Sequence, residues 1–213
     1  MKRSFVYFTR FFFFPFINDL IKEIVGKENL LEENNFIIAS YHQSHIDSWL
    51  IMYALNERLK KVHFLGAKEG ISGLIKFSTL YYFTDTIAFD RKHVKREKVL
   101  RKLEDILKKG RIVIIYPEGN SNAKAELLKG KTGVAELALK TGKPVIPIGI
   151  SKEEKSSKRT IRIGKPIYFL EEKELFGRTN KESEDYHFIL RKVTDKIMKE
   201  ISKLCKKPYN FQV

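Results

Sequence analysis

Cysteine is almost missing from this chain of 213 residues: Cys205 stands alone, which excludes a disulfide framework and fits a reducing compartment. Acidic residues are short as well. Against 41 Lys and Arg there are 26 Asp and Glu, a formal net charge of +15. Such a balance points to an anionic partner: nucleic acid, an anionic membrane surface or a phosphorylated substrate. Charge alone does not choose among them. Long hydrophobic runs are also lacking. The most apolar stretch, residues 5–17, is split by Arg10 and falls short of the ~20 apolar residues a membrane-spanning helix needs. No small-residue cleavage site follows it, so it does not read as a cleaved signal either. Internal repeats and low-complexity linkers are absent. The composition, 43% hydrophobic and 31% charged, is that of one globular domain with a proper core.

What is present begins at the N-terminus. Six phenylalanines fall within residues 8–16. Continued as a helix, Phe5, Phe8, Phe12, Phe16, Leu20 and Ile24 share one face, with Lys2, Arg3, Arg10 and Lys22 supplying cations. Aromatics and cations around an apolar face describe a helix lying in the membrane interface. A core-packing N-terminal helix is the competing reading. Pro15 implies a kink or a break. Residues 1–30 are therefore expected to form a membrane-associating helical segment, and residues 31–213 the main domain.

In that domain, apolar runs at 36–40, 62–66, 86–89, 112–116 and 145–150 read as short strands. Helical patterns at 49–55, 93–109 and 132–141 alternate with them, which is the α/β signature. The expected fold is a mostly parallel sheet flanked by helices. Its core should lie at 36–150, followed by strands at 160–163 and 166–169 and a long helix from 182 to about 205. Between Arg91 and Arg111 there are ten Lys or Arg against three Asp or Glu. A solvated helix face explains such a run as readily as a binding surface does.

Chemistry concentrates where the first apolar strand hands over to a helix, at Tyr41-His42-Gln43-Ser44-His45-Ile46-Asp47. In open α/β sheets, sites are built at the carboxyl ends of strands. Two histidines and an aspartate within six residues could ligate a metal, but the spacing departs from the metal-binding loops it resembles, and no metal is expected. Residues 125–132 nearly read as a nucleotide phosphate loop. Ala125 stands where a glycine is required, and Leu127 and Leu128 fill the middle. A basic loop entering a helix could still hold one phosphate. A third possibility is a general-base pair, with Asp47 orienting His42. Against it stands a plain helix cap at Asp47 and a satisfied core histidine. The local pattern leaves these alternatives open.

Further blocks downstream bear on the choice. His42-x-x-x-x-Asp47, Gly66-Ala67-Lys68-Glu69, Ile87-Ala88-Phe89-Asp90-Arg91, Tyr116-Pro117-Glu118-Gly119 and Val145-Ile146-Pro147-Ile148 occur in that order. Together they resemble the motifs of the glycerophospholipid acyltransferases, the PlsC-like lysophosphatidic acid acyltransferase family. The resemblance implies an enzyme of phospholipid biosynthesis that moves a fatty acyl group to the free glycerol hydroxyl of a lysophospholipid, most simply 1-acyl-sn-glycerol-3-phosphate. It implies His42 as general base and Asp47 as its orienting acid, with no covalent intermediate. Lys68 and Arg91 would hold the acceptor's phosphate, and Glu118 and Gly119 would position the glycerol end. The acyl donor would be acyl carrier protein or coenzyme A as a co-substrate, with no cofactor. The protein would sit on the cytoplasmic face of the cell membrane, peripheral or monotopic, with no nucleic-acid partner. Two departures stand out. Tyr41 replaces the asparagine often found before the histidine. Asn120-Ser121 replaces the usual Thr-Arg of the third motif, so that either Lys131, Lys124 or Lys129 supplies the phosphate contact there, beside Asn120, or the acceptor's head group differs from that of lysophosphatidic acid. The rival is a non-enzymatic basic protein that binds anionic membrane or nucleic acid.

Overall fold

The computed structural model of the chain describes residues 3–67, 86–89, 96–153 and 156–211. Seven strands form one sheet: β1 (Ile21–Val25), β2 (Ile37–Ser40), β3 (Val62–Ala67), β4 (Ile87–Phe89), β5 (Ile112–Ile115), β6 (Val145–Lys152) and β7 (Arg159–Ile163). Their spatial order is β1-β7-β6-β2-β5-β3-β4. Every pairing is parallel except β6 with β7. The helices are α1 (Arg3–Phe8), α2 (Phe14–Asp19), α3 (Ile46–Ala54), α4 (Arg96–Lys108), α5 (Gly133–Thr141), α6 (Leu170–Gly177) and α7 (Glu184–Cys205).

The continuous apolar runs are explained by burial on both faces of the sheet. In β2, Ile37 and Ala39 pack into one core, and Ile38, with Phe36 just ahead of the strand, into the other. In β5, Val113 and Ile115 face the first core, and Ile112 and Ile114 the second. The first core is closed by α4, α5, α6 and α7. The second is closed by α3 and by Val6, Phe14 and Ile17 of the N-terminal helices. The result is a three-layer α/β/α domain in which α7 lies directly on β6. A Cβ at Gly149 would come within 2.4 Å of the Cys205 backbone nitrogen, so only glycine lets the two backbones approach this closely.

Three elements differ from the sequence expectation. The N-terminal helix does not run on through Leu20 and Ile24. It stops at Asp19, and β-branched Ile21, Ile24 and Val25 form β1, which pairs with β7 at the sheet edge. Tertiary pairing overrides the helical spacing there. Residues 166–169 do not make a strand. Pro166 lacks a ladder donor, and only Ile167 bridges back, to Val145. The α6 helix is an element the apolar periodicity does not suggest. At Pro15 the backbone stays helical: a π-helical turn (Thr9–Phe13) joins α1 to α2 without a gap, and the proline takes the first turn of α2, where its missing N–H costs little. Residues 71–82, whose apolar sequence reads as a helix or an amphipathic loop segment, lie outside the described residues.

Candidate active site

Four parallel neighbours, β2, β5, β3 and β4, end on the same edge of the sheet. The loops that leave this edge carry the sequence motifs. β2 hands over to His42, β5 to Tyr116 through Asn120, β3 ends at Ala67 and β4 at Phe89. Lys68 and Arg91, the next residues of interest on the last two loops, lie outside the described residues.

The loop after β2 is shaped by Asp47. This carboxylate sits in the first turn of α3 and is 1% exposed. Its Oδ2 accepts the backbone N–H groups of Gln43 at 2.6 Å and Ser44 at 2.7 Å. The Asp47 amide in turn donates to Ser44 O at 3.0 Å. The loop is thereby curled tightly enough to bring His42 Nδ1 to 3.4 Å from the same Oδ2. That is longer than a formed hydrogen bond, and Nδ1 has no other hydrogen-bond partner among the described residues. One carboxylate thus does two things, organising the loop and facing the imidazole.

The imidazole plane is set from the other side by β5. The His42 ring stacks on Tyr116, centroids 4.1 Å apart and 21° between planes. The Tyr116 hydroxyl shares a 2.8 Å hydrogen bond with Ser48 Oγ, adjacent to Asp47 in α3. Burial pushes the Tyr116 hydroxyl far up, so it stays neutral. His45 is exposed, its ring centroid 6.2 Å from that of His42. Partial burial, and then the His42 charge, lower its pKa, so it favours the neutral form. His42 and Asp47 are the pair the fold brings together, and His45 sits outside it.

The turn after β5 is held from within. Glu118 is buried; its Oε2 accepts the Leu128 N–H at 2.8 Å and Asn122 Nδ2 at 2.7 Å. Burial raises its carboxyl pKa, opposed by those donors, by the Lys207 charge and by the His42 amide. Oε2 is thus an internal acceptor of the loop, while Oε1 is buried with no hydrogen-bond partner among the described residues. Asn120 and Ser121 are exposed, whereas Asn122 turns inward. Asn122 donates its N–H to His42 O at 2.7 Å and its side-chain amide also to Glu126 O at 2.8 Å, and its Oδ1 accepts from the Lys124 amide at 2.9 Å. This hub has a local sequence signal, a polar residue inside the third motif, that its neighbours overshadow.

Gly119 has a φ of +75°, in the left-handed region. A Cβ there would lie 2.7 Å from Lys131 Nζ, because the lysine side chain crosses the turn at this point. The Lys131 amide fixes that crossing by donating to Pro117 O at 2.8 Å. Lys131 is exposed, and its ammonium makes no ion pair among the described residues. The next residue, Thr132, accepts from Arg96 at 3.0 Å, and α5 begins immediately after it. Among the described residues, no group of His, Cys, Asp and Glu is arranged to hold a metal ion.

Fold and candidate site group the chain with open α/β proteins whose sites are built at the carboxyl ends of parallel strands. Comparison with known proteins gives the family. The chain belongs to the acyltransferase family, whose profile matches residues 22–151. It is 32% identical over 136 residues to a Caenorhabditis elegans protein named for 1-acyl-sn-glycerol-3-phosphate acyltransferase, covering 62% of this chain and 50% of that protein. It is 29% identical over 109 residues to the 1-acyl-sn-glycerol-3-phosphate acyltransferase of Haemophilus influenzae, covering 50% and 44%. The chain thus spans about half the length of the curated relatives it matches. The crystal structure of the 1-acyl-sn-glycerophosphate acyltransferase PlsC from Thermotoga maritima has the same fold. Its TM-score is 0.58 at 19% identity, covering 94% of this chain and 88% of that one.

Proposed function

We propose that the chain transfers a fatty acyl group from a thioester to the free hydroxyl of a lysophospholipid, with 1-acyl-sn-glycerol-3-phosphate as the acceptor its relatives' names suggest. The observation that carries this is the His42 imidazole, stacked on Tyr116 and facing a buried Asp47 carboxylate. In this reading Asp47 holds the proton on Nδ1 and leaves the Nε2 lone pair free. Nε2 takes the proton of the glycerol hydroxyl as that oxygen attacks the thioester carbonyl. The tetrahedral adduct collapses, the C–S bond breaks, and the departing thiolate takes the proton from the imidazolium that Asp47 has stabilised. No covalent enzyme intermediate is needed. In agreement, burial pushes the Cys205 thiol up to about 11, which makes it a poor nucleophile.

The acceptor's phosphate falls to cations. Lys131 is suited to it, an ammonium with no ion pair among the described residues, laid across the Gly119 turn and just ahead of the α5 N-terminus, where backbone N–H groups also favour an anion. Lys68 and Arg91 join it by family resemblance. The donor is acyl carrier protein or coenzyme A, and both are anionic. Lys98, Arg101, Lys102, Lys108 and Lys109 form an exposed stripe along α4 that suits either. No cofactor is required.

The N-terminal helices serve the membrane side of this reading. Phe11 is 75% exposed and Phe16 73%, beside exposed Tyr7, Phe8 and Phe12. Val6, Thr9, Phe14 and Ile17 of the same segment are buried. Phe13 stacks on Trp49 at 4.6 Å, two residues beyond Asp47. An aromatic face so close to the site lets a lysolipid be drawn from the interface. Among the described residues no helix is long and apolar enough to cross a membrane, so association at one leaflet surface is the form proposed.

The test is a panel of lysolipid acceptors with different head groups, each offered both donor types. Transfer to 1-acyl-sn-glycerol-3-phosphate is expected, and His42→Ala should reduce it by about a hundred- to ten-thousandfold. Equal rates for wild type and His42→Ala would overturn the reading.

A further inference from the structure

The far C-terminus is fastened to the His42 loop by contacts that no motif announces. After α7, Lys206 adopts a φ of 58°, the one non-glycine residue with positive φ among the described residues. Residues with a Cβ rarely take this conformation. Here it turns the chain back toward the sheet edge. The Lys207 amide donates to Ser202 O at 3.2 Å, and Ser202 Oγ donates to Lys207 O at 2.5 Å. The Lys207 ammonium then donates to the Tyr41 hydroxyl at 2.7 Å and to the Lys124 carbonyl. Tyr41 is 1% exposed and immediately precedes His42. Its own proton goes to the Asn122 carbonyl, while the Asn122 amide goes to His42 O. Lys207 therefore stands one hydrogen bond from the residue before His42, and the chain it starts reaches the His42 carbonyl.

The rest of the tail closes on the same loop. The Leu127 amide donates to Pro208 O at 2.9 Å, and Asn210 Nδ2 to Glu126 Oε2 at 3.1 Å. Tyr209 is anchored behind them by its 2.5 Å hydrogen bond to Asp195 of α7. Only a group with several N–H donors can serve the Tyr41 oxygen and the Lys124 carbonyl together. Tyr41 has already spent its proton, so the buried oxygen depends on an outside donor.

We infer that Lys207 is a positioning residue for acyl transfer: through Tyr41 and Asn122 its ammonium locks the 117–131 loop against the His42 loop and fixes where the imidazole stands. This rests on the reading of His42 as the base. A clamp that only stabilised the fold would lower the melting temperature and leave turnover per folded molecule unchanged. A positioning clamp lowers kcat per folded molecule because the base is displaced, and acceptor KM rises as well to the extent that Lys131, carried on the same loop, shifts with it.

The experiment compares Lys207→Met, Lys207→Arg and Tyr41→Phe with wild type, as kcat and acceptor KM per folded molecule, the folded fraction being set by circular dichroism. Lys207→Met and Tyr41→Phe are each expected to lower kcat by about ten- to a hundredfold, the range for a small displacement of a catalytic group. Lys207→Arg should restore most of kcat, which a loss of stability alone would not explain once turnover is counted per folded molecule. Should Lys207→Met not fold, Tyr41→Phe, which removes a single oxygen, decides. If the folded variants keep kcat within about twofold of an active wild type, the inference is overturned alone. A wild type inactive on every acceptor and donor pair overturns the acyltransfer reading and this inference with it.

Discussion

In the proposed mechanism Asp47 performs two tasks with one oxygen, and two substitutions separate them. In Asp47→Ala the Gln43 and Ser44 amides, now 2.6 and 2.7 Å from a carboxylate oxygen, lose their acceptor in a place almost closed to water. An unsatisfied buried donor costs about 1–3 kcal/mol, so the pair costs roughly 2–6 kcal/mol. For a chain of this size about 1 kcal/mol moves the melting temperature by ~2–4 °C, which predicts a fall of roughly 4–24 °C. Asp47→Asn keeps an oxygen for the two amides and loses only the charge. Hydrogen bonds to an ion are about twice as strong as neutral ones, so a loss of roughly 1–3 kcal/mol and a fall of ~2–12 °C follow. The catalytic consequence runs the other way. In Asp47→Asn the remaining oxygen is held by the two amides and offers His42 Nδ1 no negative charge, so the imidazolium loses its stabilising partner. Acyl transfer should then fall about a hundred- to ten-thousandfold although the protein is folded. Thermal melts beside steady-state turnover measure both. An Asp47→Asn enzyme within about threefold of the wild-type rate would refute the orienting role, and an Asp47→Ala melt within about 1 °C of wild type would refute the loop role.

Three other outcomes are expected. Replacing Phe11, Phe12 and Phe16 together by Ser should leave the melting temperature within a few degrees, because all three are exposed, but should sharply reduce co-flotation with anionic vesicles; unchanged flotation would remove the aromatic face from membrane binding. Gly119→Ala forces a Cβ into a left-handed residue and against the Lys131 side chain, at about 1–2 kcal/mol. The flexible lysine moves aside, so acceptor KM should rise more than the melt falls, as kinetics with a phosphate-bearing lysolipid will show. Alkali should destabilise the fold. Burial raises the Cys205 thiol to about 11 and the Tyr186 hydroxyl to about 12. Between their ordinary values and these, the folded chain keeps protons that the unfolded chain has released. Stability therefore falls as pH climbs from about 9 to 12, and urea midpoints at about pH 8 and pH 11 should differ in that direction.

The apolar runs at 36–40, 112–116 and 145–150 are recognisable as buried parallel strands because both faces of each are covered, so no polar residue interrupts them. The His42–Asp47 spacing is equally legible, since it depends on one short loop closing on itself and every atom involved lies within six residues. Family resemblance then selects this pair and sets His45 aside. Local periodicity misleads at Leu20 and Ile24, where a partner strand more than 130 residues away decides that the chain is extended. It is silent on α6, whose exposed Leu170 and Leu175 give no clean stripe.

At the third motif the residues that stand out in sequence are Asn120 and Ser121, the positions that depart from the family pattern. Folding turns these outward and puts Asn122 at the hub. Which member of a polar triplet points inward depends on the glycine turn and on the loop it meets, and neither is written into the three letters. Lys207 lies farther still from any local signal. Its ammonium reaches Tyr41 across 166 positions of chain only because α7 packs on β6 and Lys206 turns left-handed. Residue types and spacings suffice for the layered fold and for the His42–Asp47 juxtaposition, because those rest on contacts close in sequence and on burial. The surroundings that hold the pair in place belong to the folded molecule alone, because they come from segments that meet only after the sheet has formed.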